Sequence, residues 1–104
     1  MNALKKVPPN KEVSIVLPAY NEASRIQKCV QEVERAVSSF SSSYEIIIAE
    51  DGSTDGTDRI AANMSTSNPH LSFLHSSVRL GKGKAIKNAL HTAAAGAGRL
   101  GFRP

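Results

Sequence analysis

Three short runs of apolar, often β-branched residues recur along this 104-residue sequence, and each is followed by a stretch with helical spacing. VSIVLP (Val13–Pro18), YEIIIA (Tyr44–Ala49) and LSFLHS (Leu71–Ser76) read as strands, the first stopped by its proline. After the first, Ile26, Val30, Val33, Val37 and Phe40 recur three or four residues apart. They form one apolar stripe, with Arg25, Lys28, Glu32 and Arg35 outside it. The second strand predicts a helix capped by Asp55, with Asp58 three residues on and Ile60, Ala61 and Met64 turned inward. The third predicts a helix with Ile86, Ala89, Leu90 and Ala93 on its inner side and Lys84, Lys87 and His91 elsewhere. Nearly continuous apolar strands joined by helical crossovers imply an α/β, βαβαβα arrangement with a mainly parallel sheet covered on both faces.

Right-handed crossovers bring the C-terminal ends of such strands to one edge, where open α/β sheets bind ligands. PAYNE, EDGSTDGT and RLGKGK all fall at that edge. Backbone N–H groups of Gly81 to Gly83 at a helix start favour an anion, and Arg79 with Lys82 suits a diphosphate. Asp51 can accept hydrogen bonds from a base or from ribose hydroxyls. Tyr20 offers a face for stacking, and Pro18 fixes the bend beneath it. Asp55 is expected to be structural. Glu22 divides evenly between an early-helix acid and a ribose contact. His75 and His91 have no partner at metal or triad spacing and read as surface residues.

Other motifs fail on spacing. DGSTDG begins like a calcium loop, but its twelfth position is Ala62, not a glutamate, and it follows a strand. GKGKAI lacks the third glycine of a dinucleotide fingerprint, and no phosphate loop of the Gly-x-x-x-x-Gly-Lys-[Ser/Thr] type occurs. Ser76 and Ser77 lack a Gly-x-Ser-x-Gly setting.

Composition narrows the class further. Hydrophobic residues at 40% and charged residues at 21% describe a globular chain. Cys29 is alone, which excludes a disulfide framework and fits a reducing compartment. No apolar run reaches the ~18–20 residues a bilayer crossing needs, and no secretory signal is present, so a cytoplasmic protein is expected, at most peripheral to a membrane. Every acid lies at or before Asp58, leaving a late basic block that suits phosphates, RNA or an anionic membrane. Residues 1–12 read as a flexible leader, 13–93 as the nucleotide-binding half of a domain, and 94–104 as an Ala/Gly-rich tail without a strand.

VSIVLPAYNEASRI, EIIIAEDGSTDGT and RLGKGKAIKNAL together resemble the first three signatures of family 2 glycosyltransferases, of the polyprenyl- or dolichyl-phosphate glucose or mannose synthase type. The resemblance spans about Val13 to Thr92. It implies part of a GT-A (Rossmann-like) fold, truncated before its metal-binding strand, and transfer of a hexose from a UDP- or GDP-sugar with inversion. A polyprenyl phosphate is the implied acceptor. Pro18, Ala19, Tyr20 and Glu22 would line the nucleoside pocket, Asp51 would meet the base, and Arg79, Gly81 and Lys82 would lie toward the diphosphate. Glu50 stands where the family usually has an aspartate and would be a nucleotide-sugar contact too, its longer side chain keeping the charge but shifting that contact. The family's Mg or Mn site is an Asp-x-Asp after a fourth strand, which would start near Ala94. No acid follows Asp58 here, so the metal ligands are missing and the fragment is expected to be inactive alone. The alternative is a non-catalytic nucleotide- or RNA-binding module.

Overall fold

The computed structural model describes residues 12–94 and 99–102, and for Lys82, residues 92–94 and residues 99–102 the backbone alone. Among the described residues seven elements follow one another: β1 (Val13–Ala19), α1 (Ile26–Ser38), β2 (Tyr44–Asp51), α2 (Thr57–Ser67), β3 (Leu71–Ser76), α3 (Lys82–Ala94) and β4 (Arg99–Phe102). The strands form one sheet in the order β3-β2-β1-β4, and each pairing is parallel. The expected alternation of strand and helix is therefore present, and the 1–11 part of the leader lies outside the described residues.

Side-chain alternation along the strands divides the core in two. On one face Val13, Leu17, Tyr44, Ile46, Ile48 and Leu71 pack under α1 and α2, against Ile26, Val30, Val33, Val37 and Ala61. On the other, Val16, Ile47 and Ala49 meet Ala85 and Ala89 of α3. The switch of face follows from topology. The chain steps from β1 to β2 to β3 in one direction and then returns past β1 to β4, so a crossover of constant hand must pass on the opposite side. Ile46, Ile47 and Ile48 are fully buried, and each contributes about 1.5–3 kcal/mol through removal from water.

Four local expectations need correction. Phe40 does not extend the α1 stripe: the helix ends at Ser38, the hydroxyls of Ser38 and Ser39 turn back to the Arg35 and Ala36 carbonyls, and the ring is 67% exposed. The inner face of α3 centres on Ala85 and Ala89, with Ile86 and Leu90 only half-buried, because small side chains let the helix approach the sheet. The N-cap of α2 is Gly56, in the left-handed region at φ 95°, not Asp55. The tail, expected to carry no strand, supplies β4, paired from Val13↔Arg99 to Val16↔Phe102. The open side of β1 offered it unpaired backbone groups, which outweighed a sequence of low strand propensity.

Candidate functional site

Three loops crowd the C-terminal ends of β1, β2 and β3. The first two are knitted together by backbone N–H groups meeting side-chain oxygens. Asn21 adopts φ 53°, a left-handed conformation that asparagine tolerates. Its N–H donates to Ser53 Oγ at 2.9 Å, and its side-chain oxygen accepts the Thr54 N–H at 2.8 Å. The Ala23 N–H donates to Asp55 Oδ2 at 3.1 Å, and the Glu22 N–H to Thr57 Oγ1 at 2.8 Å. Thr57, fully buried, donates its own hydroxyl to Asp55 Oδ1 at 2.5 Å. That bond, helped by the Ala23 and Thr57 N–H groups, holds the Asp55 carboxyl below the usual carboxylate range. Asp55 is thus structural, as the sequence suggested, but it braces two loops as well as a helix start.

Asp51 ties in the third loop. Its Oδ1 accepts the Leu80 N–H at 2.6 Å and its Oδ2 the Gly81 N–H at 2.9 Å. Residues 78 and 79 press so closely on Gly52 that a Cβ there would lie 2.5 Å from the Arg79 nitrogen. The carboxylate at the strand end therefore has a structural reason that sequence reasoning did not supply. The Gly81 N–H, read as an anion donor, is taken by Asp51.

Above Asp51, the Arg79 guanidinium lies 3.7 Å from the centre of the Tyr20 ring and 3.7 Å from Asp51 Oδ2. These three residues, with Pro18, Ala19, Glu22 and Ala85, line a cavity of about 250 Å³. Lys82 opens α3 beside it, and its side chain lies outside the described residues. Glu22 precedes α1 instead of sitting in its first turn: its carbonyl accepts the Arg25 and Ile26 N–H groups, and its carboxylate pairs with Arg25 at 2.6 Å. A larger hollow of about 490 Å³ lies alongside, between the end of β1 and α1, sharing Pro18 and Glu22.

Glu50 points away from this cavity. It is buried, accepts the Ser53 N–H at 2.5 Å and meets His75 Nδ1 at 2.5 Å. His75 is therefore not a lone surface residue. Glu50 and His75 are register partners on adjacent strands, a pairing that sequence spacing does not display but parallel β2–β3 alignment creates. Among the described residues no group of three or more His, Cys, Asp or Glu side chains is placed to hold a metal ion. Glu50 and Asp51 are both engaged within the fold, so the residues described do not fit a divalent-metal site.

The comparisons with known proteins agree with this architecture. The chain matches the glycosyl transferase family 2 model over residues 14–95. It is 40% identical over 84 residues to the glycosyltransferase AglD of Haloferax volcanii, covering 79% of this chain and 14% of that protein. It is 35% identical over 85 residues to the dolichyl-phosphate beta-glucosyltransferase ALG5A of Trichomonas vaginalis, covering 77% and 26%. The chain thus spans about a quarter or less of these relatives. A mannosyltransferase from Pyrobaculum calidifontis, solved in complex with GDP-Man and Mn2+, superposes with a TM-score of 0.64 at 23% identity, over 83% of this chain and 26% of that one. The chain belongs to glycosyl transferase family 2, with the fold of its GT-A relatives.

Proposed function

We propose that this chain is the nucleotide-sugar-binding half of an inverting glycosyltransferase that moves a hexose from a UDP- or GDP-sugar to a polyprenyl phosphate or another acceptor. The observation that carries the reading is the meeting of Tyr20, Asp51 and Arg79, from three loops far apart in sequence, around one cavity. Pro18, Ala19, Tyr20 and Glu22 would receive the nucleoside, and Asp51 would meet the base. Arg79 and Lys82 would face the diphosphate, with Gly81 lying toward it while its N–H stays on Asp51, and Glu50 would hold the second loop in place. The 250 Å³ cavity is smaller than the neighbouring hollow, yet it has the aromatic face, the carboxylate and the guanidinium that a nucleotide needs. The relatives named above support a lipid-phosphate acceptor and a metal-dependent whole enzyme. With no acid after Asp58, this polypeptide alone would bind donor without transferring sugar.

Calorimetric titration tests the proposal. UDP or GDP should bind in preference to RNA, and Asp51→Ala should weaken binding more than Lys87→Ala. Equal loss in both variants with steep salt dependence would favour the RNA-binding alternative. Metal-dependent sugar transfer by the 104-residue chain would refute the inactive reading.

A further inference from the structure

We infer that Val78 and Leu80 of the β3–α3 loop and the exposed face of α3 form a docking surface for an anionic lipid bilayer, beside the donor cavity that Arg79 of the same loop lines. Val78 is 63% exposed and Leu80 38%, so the loop raises two aliphatic side chains into solvent immediately before the helix. Lys84, Lys87 and His91 follow at helical spacing and are all exposed. The other helices differ: α1 exposes Lys28, Glu32 and Arg35 together, and α2 carries Asp58 beside Arg59. Only on α3, among the described helices, does the outer face lack acids, since none follows Asp58. A single-signed helix face beside an aliphatic tip matches a headgroup layer in charge and its acyl boundary in polarity.

RNA would be drawn by the same lysines but would need aromatic faces for its bases. No Phe, Tyr or Trp lies between Phe73 and Phe102, so the loop and the outer face of α3 offer no such ring. Aliphatic side chains favour the bilayer instead. Docked this way, the rim of the sheet would face the membrane surface, where a lipid phosphate becomes available to the donor site.

The test is co-sedimentation of the full chain, without nucleotide, with vesicles of pure phosphatidylcholine or phosphatidylcholine with phosphatidylglycerol. Binding is expected to the anionic vesicles and not to the neutral ones. Lys84→Ala and Lys87→Ala should each weaken it about fivefold, the attraction of one lysine near an anionic surface. Val78→Asp should weaken it too, with an unchanged circular dichroism spectrum. Equal binding to neutral vesicles, indifference to these substitutions, or displacement from vesicles by poly(U) RNA would overturn the inference. Because nucleotide is absent, failure of the donor-site reading would leave this result standing.

Discussion

Asp51 and Gly81 are thirty residues apart in sequence and joined by a 2.9 Å bond from the Gly81 N–H to Oδ2. The neighbouring Leu80 N–H takes the other oxygen, so one carboxylate pins the entrance of α3 to the end of β2. Asp51→Ala leaves two donors without their partner, and a loss of about 1–3 kcal/mol is expected. Asp51→Asn, which presents only one oxygen, should fall between. Thermal and urea melts of the three proteins check the order.

Gly52 tolerates no side chain. It has φ 68°, and an added Cβ would lie 2.5 Å from backbone at Arg79. Backbone cannot step aside as a flexible side chain would, so Gly52→Ala should cost about 2 kcal/mol or more. The third loop should also be displaced, and nucleotide affinity should fall with it. A denaturant midpoint and a UDP titration measure the two effects.

The Tyr20 ring is expected to act by its face. Tyr20→Phe keeps the surface under Arg79 and should bind nucleotide much as the parent does. Tyr20→Ala should lose about tenfold or more, the usual worth of one stacked base. Calorimetric titration with UDP and GDP distinguishes them.

Thr57 links two loops through one hydroxyl. Thr57→Val removes the partner of the Glu22 N–H and should destabilise the fold by about 1–3 kcal/mol. Asp55 has a depressed pKa, so its contribution is present above the unfolded value and lost as pH falls through the folded one. The gap between parent and variant should therefore narrow in acid. Melts across an acidic pH series provide the check.

Tyr44 supplies an alkaline counterpart. Burial, then its hydrogen bond to Glu34, pushes its phenol from 10 up to about 12. A raised pKa contributes stability in full below the unfolded value and loses it as pH rises through the folded one. Stability should fall between about 10 and about 12, and Tyr44→Phe should flatten that limb. Ultraviolet titration of tyrosinate alongside melts would follow it.

The alternation of strands and helices was legible because apolar periodicity reports burial directly, as Ile46–Ile48 and the α1 stripe show. The gathering of three polar loops on one rim was legible from topology alone. What escaped were choices made by tertiary contacts. Glu50 finds His75 only once two strands are in register, and Asp51 spends its oxygens on a loop thirty residues away. The left-handed cap at Gly56 displaced Asp55 by one residue, and β4 formed because β1 had an open flank, not because RLGF favours a strand.

β1 lies in the middle of the sheet, between β2 and the last described strand. As a ribosome releases this chain, one flank of β1 is an aggregation-prone seam until residues 99–102 emerge to close it. Pairing so distant in sequence is also slow to form, so sealing that seam is expected to follow the pairing of β1, β2 and β3.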